Sequence, residues 1–140
     1  MMWAARARLL VVTLWAGSLW TVGYLVAPTL FGTLADRALA GAIAGSMFRV
    51  EAWLSLGCAA ALLVLLAAAK DVTGQRRKIL LGIVVAMVVC TLVSHFALQP
   101  VMAAMKEAGD KSTFGMLHGV SMVIYLVQSL LAVVLVAKNP

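Results

Sequence analysis

Four stretches of the chain contain no Asp, Glu, Lys or Arg: residues 9–35, 52–69, 79–105 and 112–137. A helix that crosses the hydrocarbon core of a bilayer needs about 20 largely apolar residues, with a range of roughly 17 to 25. All four stretches reach that length, the second near its lower limit. None shows the alternation of a half-buried strand, and an open sheet cannot leave its edges in lipid. The pattern predicts an all-α fold, a four-helix transmembrane bundle. One integral membrane domain is expected over residues 1–140, with helices near 8–28, 36–69, 78–104 and 113–137. Composition agrees, because only 11% of the residues are charged and 64% are hydrophobic, whereas soluble domains carry roughly 25% charged residues. A chain of 140 residues used in this way leaves no room for a soluble catalytic domain.

The net charge of +6 does not mark a nucleic-acid binder, because the cations flank apolar segments instead of forming a stripe. They read as topology signals. With the N-terminus inside, Arg6, Arg8, Lys70, Arg76, Arg77, Lys78 and Lys138 share one side. Arg37, Arg49, Lys106 and Lys111 share the other. Excess Lys and Arg marks the cytoplasmic side, so both termini are expected inside, with the 29–50 and 105–112 loops outside a bacterial inner (plasma) membrane. Arg6 and Arg8 precede an apolar run that is too long for a signal peptide and contains Trp15, Trp20 and Tyr24, so it reads as an uncleaved span. Pro28 is expected to end or kink it. Asp36 can cap the second helix, whose Ala-rich beginning forms an outer amphipathic section. Gly41 and Gly45 are spaced for a close helix contact. Arg49 and Glu51 are expected to snorkel toward the headgroups. Cys58 and Cys90 lie within apolar runs, without metal spacing, and no disulfide is expected.

Polar residues recur at helical spacing inside the spans. Thr91, His95 and Gln99 repeat every four residues, with Met102 three further on. His118, Ser121, Tyr125 and Gln128 follow at three, four and three, with Met122 beside them. Thr13, Gly17, Thr21 and Tyr24 share a face of the first span. Residues three and four apart project from one side, so each helix carries a polar stripe that avoids lipid. In the plainer interpretation, these groups hydrogen-bond between helices and hold the bundle together. In the functional one, they line a site in the outer half.

Three functions from different classes fit this pattern. His95, His118, Met102 and Met122 suit a soft metal such as copper, in a protein that handles or transports metal or a small molecule. His95 and His118 also suit axial ligation of a haem b, for which Arg49 is the only nearby cation to meet a propionate. A non-catalytic bundle would support assembly of a membrane partner or a homo-oligomer through Gly41 and Gly45. No constellation for hydrolysis or group transfer is present, so enzymatic activity is not expected.

Five segments resemble a known family: WAGSLW at 15–20, VAPTLF at 26–31, AGAIAGSMF at 40–48, LQPVMAAM at 98–105 and FGMLHGVS at 114–121. Their order is similar to that of the transmembrane protein 205-like family (domain of unknown function 4149). That resemblance implies four transmembrane helices and no assigned chemistry, with an indirect link to platinum-drug resistance through the human member. His118, with Gly119 and Ser121, fits the family pattern. The human member has Asn where His95 stands, so a two-histidine site would be confined to part of the family. A looser architectural similarity links the chain to the copper-resistance D family and to small haem-containing protoporphyrinogen oxidases.

Overall fold

The computed structural model describes residues 2–140. Four long helices account for nearly all of them: α1 Met2–Thr33, α2 Arg37–Ala68, α3 Gly74–Glu107 and α4 Lys111–Lys138. All four are long and apolar enough to cross a membrane. At 1.5 Å per residue their 28 to 34 residues reach beyond the ~30 Å hydrocarbon core, so they tilt in it or project from it. No strand occurs among the described residues. The linkers are short, so successive helices run antiparallel. Each packs on its chain neighbour, and α4 returns to α1 to close the bundle.

Local chemistry sets the helix ends. Asp36, expected to cap α2, accepts from the Ala38 and Leu39 amides at 3.0 and 3.2 Å. Thr73 caps α3 by accepting from the Arg76 amide at 3.3 Å. The α3–α4 turn is tightest. Gly109 takes φ +75°, its amide bonds to Lys106 O at 3.2 Å, and the Asp110 amide bonds to Met105 O at 3.0 Å. This is a Schellman ending. Asp110 then caps α4 by accepting from the Thr113 amide at 3.0 Å.

The first span does not end at Pro28. It continues to Thr33, and α3 likewise passes through Pro100. Both helices widen just before the proline. Val22–Val26 and Leu92–Leu98 are π-helical, with the Ala27 amide bonding to Val22 O and the Gln99 amide to Ser94 O, five residues back. A proline lacks an amide hydrogen, and its ring crowds the carbonyl four residues earlier. A wide turn at that point relieves the crowding without breaking the helix.

The half of the bundle that holds the termini is solidly packed. Val12, Trp15, Leu19, Cys58, Leu62, Leu66, Leu80, Val84, Met87 and Leu135 form one buried cluster. Arg8, placed among the topology signals by its sequence position, is fully buried and bonds to Asp71 at 2.5 Å, tying α1 to the α2–α3 linker. Arg77 donates to Ala69 O and Val72 O of the same linker. Around the outside, Leu10, Leu14, Leu25, Trp53, Val64 and Leu130 are more than half exposed. A continuous apolar coat of this kind is what lipid requires and water penalises. The protein is an integral membrane protein.

Within the chain, Gly41 faces α1 only at Phe31, and Gly45 faces no other helix. A Cβ on Gly41 would meet only the Phe31 ring, at 3.9 Å, and one on Gly45 would meet nothing within 4 Å. The residues of this section that turn inward are Ala40 and Ala44, at 0% and 5% exposure.

Candidate functional site

The half of the bundle away from the termini is not filled. It leaves an open-sided cavity of about 620 Å³ walled by all four helices. Its lining includes Gly23, Tyr24 and Pro28 of α1, Phe48, Glu51 and Ser55 of α2, Thr91, Ser94, His95 and Gln99 of α3, and His118, Ser121, Met122, Tyr125 and Gln128 of α4. The volume falls within the 300–1,000 Å³ typical of small-molecule sites.

Glu51 is the acidic residue of its lining. The side chain does not snorkel; its residue is only 4% exposed. Its Oε1 accepts from Ser18 Oγ at 3.0 Å and faces Ser55 Oγ at 3.5 Å, and Ser55 Oγ in turn accepts from Trp15 Nε1 at 3.0 Å. The sequence expectation failed here because the depth of residue 51 depends on how far α2 extends before it meets its neighbours. Ser18, Ser55 and Trp15 were missed for a related reason. Their roles come from which helix faces meet, and periodicity along one helix does not report that. The spacing of Glu51 and Ser55, four residues apart, was the one available signal.

Tyr125 stands at the centre. Its hydroxyl donates to Leu19 O, and its ring packs edge-on to Phe48 at 5.3 Å and Tyr24 at 5.9 Å. Gly23 exists for this ring: a Cβ there would lie 2.8 Å from Tyr125 Cζ. Tyr24 donates to Ser129 Oγ at 2.9 Å. Deeper, Gln128 Nε2 donates to Thr91 Oγ1 at 2.8 Å, and that hydroxyl donates to Met87 O at 3.2 Å. Ser94 and Ser121 pair across α3 and α4 at 3.3 Å.

Both histidines line the cavity. His95 is half-buried and lies edge-on to Phe96 at 4.8 Å, while His118 is exposed and stacks on Phe114 with rings 7° from parallel. Neither makes a hydrogen bond to another described residue. Of the four residues expected to hold a metal, Met122 also lines the cavity, with 61% exposure at its rim, whereas Met102 is buried outside it. Among the described residues, no group of three or more His, Cys, Asp or Glu could hold a metal ion. Thr21, expected in the polar cluster, is exposed away from the cavity. The two departures have different causes. The π-helical segments add a residue to a turn, and at roughly 100° per residue this rotates everything beyond them relative to an α-helical stripe. Met102 lies past Leu92–Leu98, whereas Thr21 precedes Val22–Val26 and shares its exposed face with Thr13, so there the rotation of α1 in the bundle turns the stripe outward.

The cavity has a mouth. Tyr24 on α1 and Met122, Val123 and Leu126 on α4 all line it, and all are about half exposed or more. They form an apolar stretch of rim on α1 and α4, and the exposed lining also includes Gln99 and His118.

No curated protein and no solved structure matches the chain. A family model described as Domain of unknown function (DUF4149) matches residues 10–111. That range covers most of α1, all of α2 and α3, and therefore Glu51 and His95, but it stops at the first residue of α4. With well over half of its length matched, the chain belongs to the DUF4149 family of domains of unknown function.

Proposed function

We propose that this protein handles a small molecule in the cavity between its four helices. The observation that carries the proposal is the combination of volume and lining: about 620 Å³, mostly apolar, with Glu51, two histidines and several hydroxyls converging on it. Helix-packing groups alone would close such a space, because polar side chains in a bilayer seek one another. Here His95, His118 and Gln99 line open volume without a bond to another helix. The soft-metal version is weaker, since Met102 lies outside the cavity. The orientation with both termini inside, a bacterial inner membrane, and the narrower kinship with transmembrane protein 205-like and copper-resistance D proteins belong to the same proposal.

The test uses a neutral lipophilic probe, Nile red, on purified protein in lipid nanodiscs, alongside metal analysis and an absorption spectrum. Saturable binding that is lost when Ser121→Trp fills the cavity is the expected result. Failure to bind in the wild type would remove the small-molecule reading. Bound copper or a Soret band that disappears in a His95→Ala, His118→Ala double variant would replace it with the metal or haem alternative.

A further inference from the structure

The chemistry around Glu51 says what kind of molecule the cavity takes, provided the cavity is the small-molecule site proposed above. Glu51 is almost completely buried, yet it has no cationic partner. The ion pair among the described residues is Arg8–Asp71, at the opposite end of the bundle. Arg49 is exposed and does not line the cavity. His95 and His118 line it without bonding to Glu51. Only Oε1 is occupied by hydroxyls. Oε2 has no hydrogen-bond partner among the described residues, and it is not among the buried atoms sealed from space. It therefore opens toward the cavity. An ionised carboxylate buried without a counter-charge is costly, so such a group recruits either a proton or a cation.

The second observation is aromatic. Phe48 lies one helical turn before Glu51, and its ring stands at 87° to Tyr125, which in turn stands at 64° to Tyr24. All three rings line the same cavity as the carboxylate. Aromatic rings gathered around one volume supply the π-surface that attracts ammonium-type cations. The third observation is the apolar mouth between Tyr24 and Met122. A hydrophobic molecule dissolved in the bilayer can pass along this stretch of Tyr, Met, Val and Leu side chains.

We propose that the cavity binds a hydrophobic organic cation (a quaternary ammonium, a phosphonium or a protonated alkylamine), with Glu51 as its counter-ion and Phe48 and Tyr125 as its cage. The ligand enters sideways from the membrane between α1 and α4.

Tetraphenylphosphonium and tetraphenylborate test this directly, because they share shape and differ in sign. In nanodiscs of uncharged phosphatidylcholine, the wild type should bind the phosphonium saturably and at least 10-fold more tightly than the borate. Glu51→Gln keeps the hydrogen bonds to Ser18 and Ser55 and should lower the phosphonium-to-Nile red affinity ratio by 10-fold or more. Phe48→Leu should lower the same ratio several-fold, and it covers the case in which Glu51→Gln fails to fold. Equal binding of both ions, or an unchanged ratio in these variants, overturns the cation assignment while Nile red binding keeps the cavity as a site. Loss of all three probes in the wild type would remove both proposals.

Discussion

At Gly23 the helix has no room for a side chain. A Cβ would strike the Tyr125 ring, which cannot withdraw because its hydroxyl is bonded to Leu19 O and its ring packs edge-on with Tyr24 and Phe48. Gly23→Ala is therefore expected to destabilise the protein by about 1–3 kcal/mol, the usual cost of overpacking. Gly57→Ala is the control, with open space at its Cβ, and should be neutral or stabilising by roughly 0.5–1 kcal/mol. Thermal unfolding in detergent separates the two, and equal midpoints would contradict the packing of Tyr125. Asp71 gives a second expectation at this scale. The hydrogen bond from Arg8 holds its carboxyl below the usual carboxylate range. A depressed pKa stabilises the folded state above the unfolded value, and that stability is lost as pH falls through the folded value. Acid titration of the unfolding midpoint should thus show a steeper decline below about pH 4 in the wild type than in Asp71→Asn. Parallel acid limbs would mean that the pair contributes nothing.

Among the four helices that wall the site, the two proline-bearing ones share a device. In both, a π-helical segment precedes the proline and supplies cavity-lining residues, Gly23 and Tyr24 in α1, Ser94 and His95 in α3. Removing the cause should remove the segment. In Pro100→Ala the amide hydrogen returns, the α-helical ladder can close, and Ser94 and His95 rotate by roughly 100° relative to the far end of α3. The expected outcome is a loss of Nile red binding out of proportion to any fall in unfolding temperature; unchanged binding would show that α3 keeps its wide turn without proline. The α3–α4 turn makes a purely structural comparison. Gly109 sits at φ +75°, so Gly109→Ala should cost about 1–2 kcal/mol through the left-handed backbone alone, leaving probe affinity intact.

For the molecule as a whole, the packing is lopsided. One half is a filled core tied by Arg8–Asp71, and the other is a cavity with an apolar mouth. Which half faces the cytoplasm can be measured with single cysteines at Gln75 and Gly109 in a Cys58→Ala, Cys90→Ala background. With the termini inside, a membrane-impermeant maleimide added to intact cells should label position 109 and spare 75. The reverse would turn the cavity toward the cytoplasm. The four helices and the polar residues that α3 and α4 turn to the cavity were legible in the sequence. Lipid allows the backbone no partner but itself, so charge-free length alone forces a spanning helix, and a period near four puts His95 and Gln99 on one face. The stripes misplaced Met102, because a straight α-helical wheel does not survive the wide turn before Pro100, and Thr21, because the rotation of α1 against its neighbours is not written in its own periodicity. Glu51 was beyond reach for a deeper reason. Whether a carboxylate at a helix end meets headgroups or hydroxyls depends on the depth and rotation of four helices relative to one another. Those are fixed by contacts such as Ser18, Ser55 and Tyr125, which lie far apart in the chain and meet only when the bundle closes.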